Sequence, residues 1–322
     1  MQSENLIDEI VSRSVGVSYP GIAPTELTQI PIPVPPLDTQ LKVADFLDHE
    51  TIEADALMAK YERLLELLEE KRVALITQAV TKGLDPNVPM KDSGIEWIGQ
   101  TPAHWSVGRL APSIVSKTDG PFGSGLKNEH YAESGVRVIR LQNIGDGEFK
   151  GDDAAFVSEE YFKSLGGHDA KPGDVLVAGL GDENNALGRA CLLPADVPIA
   201  MVKADCFRYR FNPERVSHEY IVKSINSAVG RNAALLASRG ATRQRINLSA
   251  VGNMIVPLPP LPEQMEVSTF VDRLVIEIHR ARKAIRAAIA LVKERRAALI
   301  TAAVTGQIDV TTYKPSTTME VA

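Results

Sequence analysis

One passage of this chain occurs twice. Residues 30–85 align without a gap on residues 254–309, with 21 identities in 56 positions. Pro35-Pro36-Leu37, Gln40, Val43, Phe46 and Asp48 return as Pro259-Pro260-Leu261, Gln264, Val267, Phe270 and Asp272. Further on, Ala74-Leu75-Ile76-Thr77 and Ala79-Val80-Thr81 return as Ala298-Leu299-Ile300-Thr301 and Ala303-Val304-Thr305. A repeat of that length is one structural unit used twice, with an independent insert between the copies.

Each copy predicts a long helix. Proline is tolerated at a helix start, where the first amides have no partner inside the helix. From Leu41 to Val80 there is neither proline nor glycine. A heptad row runs through Leu47, Ala54, Tyr61, Leu68 and Leu75, flanked by Leu57, Leu64 and Leu65. The second copy repeats it as Val271, Ile278, Ile285, Val292 and Leu299, flanked by Leu274, Val275 and Ile289. The middle of the repeat, 54–66 against 278–290, shares no identity but keeps the apolar row. That pattern predicts coiled-coil packing. A helix of about 40 residues is about 60 Å long, and its seam needs a partner. The other copy supplies one, antiparallel, because the insert carries the chain back.

The insert, 86–253, is richer in glycine and proline. Short strands are expected over 136–141, 174–178, 190–193 and 206–211, and a helix over 217–229, with Tyr220, Ile221, Ile225 and Val229 on one side. The expected fold is therefore α+β: one mixed α/β domain and two long helices forming an antiparallel coiled coil. With 322 residues, 44% of them hydrophobic and 24% charged, the chain suits a globular protein of two or three domains. No apolar run reaches membrane-spanning length, so no membrane partner is expected. The N-terminus carries no signal-peptide pattern. Cys191 and Cys206 lack metal-type spacing and read as reduced core thiols.

The net charge of −6 gives no overall basic footprint. Charge is segregated, however. Residues 146–183 hold 3 basic and 10 acidic groups, whereas 215–253 hold 6 basic and 1 acidic. Within the latter, Arg239, Thr242, Arg243, Gln244, Arg245 and Asn247 crowd one glycine-containing loop. Arginine can bind phosphate or make a bidentate contact to guanine, and glutamine and asparagine do the same to adenine. The alternative is a solvated loop near a helix end. Asp119-Gly120-Pro121-Phe122-Gly123-Ser124-Gly125-Leu126-Lys127 fails the spacing of a phosphate loop and reads as a tight turn. There is no metal-type His/Cys cluster, no nucleophile elbow and no outstanding carboxylate pair. No catalytic residue, metal site or cofactor is expected.

The duplicated Pro-Pro-Leu…Gln…Phe…Asp segment and its terminal Ala-Leu-Ile-Thr…Ala-Val-Thr resemble the DNA specificity subunit of type I restriction–modification systems. So do Gly94-Ile95-Glu96-Trp97-Ile98-Gly99…His104-Trp105, Gly120-Pro121-Phe122-Gly123-Ser124 and Val138-Ile139-Arg140-Leu141-Gln142-Asn143-Ile144. The resemblance implies a non-catalytic cytoplasmic subunit for phage defence that binds double-stranded DNA. It also implies docking of methyltransferase (modification) subunits and, through the complex, of a restriction/translocase subunit. On this reading 86–253 is the target-recognition domain, 30–85 and 254–309 are the helical spacers, and 310–322 is a tail. Candidate DNA contacts are Lys127, Arg140, Arg239, Thr242, Arg243, Gln244, Arg245 and Asn247.

The family's usual order places a recognition domain before each helix. Here 1–29 align, at the same offset, on 225–253, as the remnant of a first recognition domain. A truncation, a split or rearranged gene and a half-subunit variant all fit that pattern. A single recognition domain implies a half-site. The alternative is a truncated coiled-coil scaffold without DNA specificity of its own.

Overall fold

Each Pro-Pro-Leu run stops where a long helix starts. The computed structural model, which describes residues 4–16, 20–238 and 244–312, has helices over Leu37–Lys82 and Leu261–Val304. At 46 and 44 residues they are each about 65–70 Å long. The same device fixes both starts. Gln40 Nε2 donates to Pro35 O at 2.7 Å, and Gln264 Nε2 to Pro259 O at 2.8 Å. The chain divides into two compact units, 1–69 with 277–322, and 70–276.

In the first unit the long helices pair antiparallel, as the heptad rows require. Glu69 pairs with Arg282 and Asp55 with Arg296, so numbers rise on one helix as they fall on the other. Phe46 and Ala303 are buried together with Val310, and Val43, Leu47 and Leu299 pack on them. Ile278 is 6% exposed. Leu57 and Leu64 are exposed, so the buried row is narrower than their sequence positions suggested. A groove of about 860 Å³ opens between Leu6, Ile30, Ile32, Leu47, Ile300 and Val304.

The second unit is built on two sheets. The four-stranded sheet is antiparallel, in the order Ala190–Leu192, Val175–Ala178, Cys206–Phe211, Ile114–Thr118. The five-stranded sheet runs Tyr131–Ala132, Phe156–Val157, Val136–Ile139, Ala200–Val202, Asp169–Ala170, with Val136–Ile139 and Ala200–Val202 parallel. Successive side chains of a strand face opposite ways, and Val175–Ala178 uses both faces. Val175 and Val177 join the core containing Tyr220, Ile221 and Ile225, while Leu176 and Ala178 join that of Ile139, Ala200 and Val202.

The helix expected over 217–229 is two helices, His218–Asn226 and Ala228–Leu236. Ser227 sits between them in an extended conformation, and its side chain accepts from Gly230 N. Apolar spacing continues through the break, so periodicity could not show it.

The insert grips the helix ends inside this unit. Tyr220 is fully buried, with its hydroxyl 2.8 Å from Pro257 O and 3.1 Å from Val80 O. Trp105 Nε1 donates to Glu263 at 2.8 Å, and Gln264 Oε1 accepts from Ser217 N at 2.8 Å. The repeat equivalents are treated unequally. Val256 is fully buried, whereas its counterpart Ile32 is 62% exposed.

Candidate nucleic-acid interface

Several strand ends meet at one edge of the second unit. The strand Ile114–Thr118 ends into Asp119, and its partner Cys206–Phe211 begins after Asp205. The next strand, Val175–Ala178, ends into Gly179, because Ala178 pairs with Cys206. Gly179 N donates to Asp205 O at 2.7 Å. The segment that starts at Gln244 joins here. Ile246 N donates to Gly179 O at 2.9 Å, Gly181 N to Gln244 O at 3.2 Å, and Leu180 and Arg245 form an isolated bridge. Lys203 N donates to Ile139 O at 2.9 Å, which brings the end of strand Val136–Ile139, and with it Arg140, towards the same edge. Loops positioned by a rigid sheet are the usual carriers of binding function.

Asp119 ties three of these loops together. Its Oδ1 accepts from Gly120 N at 2.7 Å and from Asp205 N at 2.9 Å, and its carbonyl lies 2.6 Å from His168 Nδ1. Gly120 has no room for a side chain, since a Cβ would stand 2.1 Å from the Lys203 carbonyl carbon. Burial pushes the Asp119 carboxyl up to about 6, with Asp205 adding to the rise and the Gly120 hydrogen bond opposing it. The folded state therefore holds this proton more tightly than the unfolded chain does. Stability from this group is full below about pH 4 and lost as pH rises through about 6. For a partly solvated carboxyl the loss is about 1–2 kcal/mol. Asp119→Asn keeps the acceptor oxygen and removes the charge. We expect urea titrations to show the variant more stable at pH 7.5 and equal to wild type at pH 4; equal stability at both would contradict this.

Of the sequence candidates, Arg239, Thr242 and Arg243 lie outside the described residues. Gln244 and Arg245 stand on the edge just described. The Arg245 guanidinium is 2.7 Å from Asp205 Oδ1 and 5.6 Å from the Phe122 ring centroid. Asn247 spends its side-chain oxygen on Ser249 N at 2.9 Å, a local turn. Lys127 is exposed, 3.8 Å from Glu129. Arg140 is held by Asp153, which also accepts from Gln142 Nε2 at 2.7 Å. Its guanidinium is thus engaged within the domain.

Sequence reasoning missed Phe122, Asp205 and Arg189. Phe122 is an exposed aromatic in a glycine-flanked loop, a signal that was available. Arg189, 6% exposed, donates to Ile144 O at 2.6 Å, Leu141 O at 2.8 Å and Leu180 O at 3.0 Å. It fastens the 141–144 turn to the Gly179 loop from inside.

Among the described residues the one group with metal-ligand spacing is His49, Glu50 and Glu53 on the first long helix, the first two half-buried and the third exposed. Its members also take part in surface ion pairs, Glu50 with Arg295 among them. Cys191 and Cys206 are buried and unbridged, and burial pushes the Cys191 thiol up to about 12. Among the described residues no helix is long and apolar enough to cross a membrane.

No family model matches the chain. Curated relatives do. The type I restriction enzyme MjaVIII specificity subunit of Methanocaldococcus jannaschii is 24% identical over 276 residues, 84% of this chain. The EcoBI specificity subunit of Escherichia coli is 24% identical over 312 residues, and the EcoKI specificity subunit 25% identical over 306, each covering 94% of this chain. The chain is similar to type I restriction enzyme specificity subunits. It spans 62–63% of the length of these relatives. Two solved structures share its fold. A chain of a type I restriction–modification assembly superposes with a TM-score of 0.73 at 16% identity, over 95% of this chain and 69% of that one. The HsdS subunit of Thermoanaerobacter tengcongensis gives 0.56 at 16% identity, over 95% and 68%.

Proposed function

We propose that this protein is the DNA sequence-recognition subunit of a type I restriction–modification complex. Residues 86–253 act as its target-recognition domain and read one half-site of double-stranded DNA. The repeated segments 30–85 and 254–309 act as the helical frame on which methyltransferase subunits dock. A restriction/translocase subunit joins through that complex, in the cytoplasm, and the chain itself performs no chemistry. The observation that carries this reading is the similarity to specificity subunits over 94% of the chain, shared helices and insert alike. The edge that gathers Gln244, Arg245 and exposed Phe122 supports it, because it offers donors and an apolar face of the kind that base edges and phosphates require.

The test is selection from random duplexes by the full chain together with its cognate methyltransferase subunits. One short block of specified bases is expected. Binding should weaken as salt rises, as phosphate contacts demand. Selection of no motif would favour a scaffold without specificity. Cleavage or methylation by the chain alone, given DNA, ATP, Mg²⁺ and S-adenosylmethionine, would refute the non-catalytic part.

A further inference from the structure

Asp205 is the one non-glycine residue with a positive φ, 64°, among the described residues. Left-handed backbone disfavours any residue with a Cβ, and such outliers persist where something else holds them. Two backbone bonds hold this one: Asp205 N to Asp119 Oδ1 and Gly179 N to Asp205 O. Glycine at this position would make both bonds and escape the strain. What glycine could not supply is the carboxylate, and that carboxylate is paired with Arg245 Nη2 at 2.7 Å.

The same guanidinium lies over the Phe122 ring. Both partners stay in solvent, with Phe122 54% exposed and the Arg245 side chain 51% exposed. Phe122 is itself fixed in place. Its loop begins at Gly120, which packs without a side chain against the backbone of Lys203, two residues before Asp205. A long cationic side chain on an open surface is thus clamped by an ion pair on one side and a ring face on another.

We infer that Phe122, Asp205 and Arg245 form one specificity element, in which the ring and the carboxylate hold the Arg245 fork for a guanine edge in the major groove. This rests on the reading of the chain as a DNA-recognition subunit. Guanidinium has five N–H donors, and one carboxylate engages at most two of them. Enough remain for the O6 and N7 acceptors of guanine, the pairing that a planar fork matches. Arg245 touches the base, and Phe122 and Asp205 are positioning residues. Clamping an arginine before it meets its target lowers the ordering cost of binding.

The experiment uses the full chain with its methyltransferase subunits, a random duplex library, and then titrations on the selected duplex and its single-base variants at several salt concentrations. Arg245→Ala should weaken binding to the selected duplex about 10- to 100-fold and leave all four bases equal at one guanine position. Arg245→Lys keeps the charge and lacks the fork, so it should lose the guanine preference while the salt dependence stays. Asp205→Gly is the decisive variant. It should melt no lower than wild type and still relax selection at that same guanine. Phe122→Leu should relax it to a smaller extent. An Asp205→Gly protein that selects the wild-type motif overturns the inference. So does an Arg245→Ala protein weakened alike on every duplex with a salt slope lower by about one unit, which marks a phosphate contact. If wild type selects no motif, the functional reading falls and the inference with it. If wild type selects one and the variants keep it, the inference alone falls.

Discussion

Arg189→Leu is expected to destabilise the protein by about 3–5 kcal/mol and to abolish sequence-selective binding. Arg189 lies inside the second unit and its donors go to carbonyls of two separate turns, Leu141 and Ile144 on one side, Leu180 and Ala186 on the other. A buried arginine keeps its proton at any ordinary pH. Burial pulls its pKa down and nearby Asp182 partly offsets this. Leucine fills much of the volume and satisfies none of those carbonyls. Buried acceptors stripped of their donor carry the full desolvation penalty. Because Leu180 pairs with Arg245, the damage should reach the candidate interface. Guanidinium denaturation measures the first effect and duplex selection the second. An unchanged midpoint would show that water replaces the guanidinium without cost.

Charging the helical seam should be comparably severe. Ile278 is 6% exposed, and Ile285 follows one heptad later on the same row, half-buried. The double change Ile278→Asp and Ile285→Asp removes two aliphatic side chains and places two carboxylates in the seam, where Arg282 is already paired with Glu69. We expect a loss of several kcal/mol, less helical circular dichroism and weak association with methyltransferase subunits. Ile278→Val with Ile285→Val serves as the control and should cost about 1–3 kcal/mol in total. Unchanged thermal stability of the aspartate variant would mean that the seam contributes nothing.

The helices were legible because the chain states them twice. Where copies diverge in letters they agree in period, and the row from Leu47 to Leu75 is half-buried throughout. The strand Cys206–Phe211 was legible for a similar reason, its apolar residues bounded by turn residues. The interface was legible only in part. Arginine, glutamine and asparagine in one loop point to nucleic acid, but Arg245 acquires its setting from Phe122 and Asp205, both remote in sequence. A positive φ has no signature in an aspartate. Arg189 was beyond reach altogether, since a lone arginine reads as surface. Arg140 reads as an open cation in the sequence, and its pairing with Asp153 comes from a residue that periodicity does not place beside it.

The ladder formed by Ser106–Arg109 and Ile255–Leu258 has a consequence for the chain's architecture. Ser106 pairs with Leu258 and Arg109 with Ile255, antiparallel. Everything from 110 to 254 therefore leaves and returns through one doorway, and to the helices it is a single long excursion. From inside the excursion Tyr220 presses its hydroxyl between Val80 and Pro257, Ser217 N donates to Gln264, and Lys223 pairs with Asp272. Ile76, Val80, Val267 and Val271 of the helix ends also lie in one core with Val177, Tyr220 and Ile221 of the excursion, so any other excursion hung on the same two strands would have to present a matching apolar face to them.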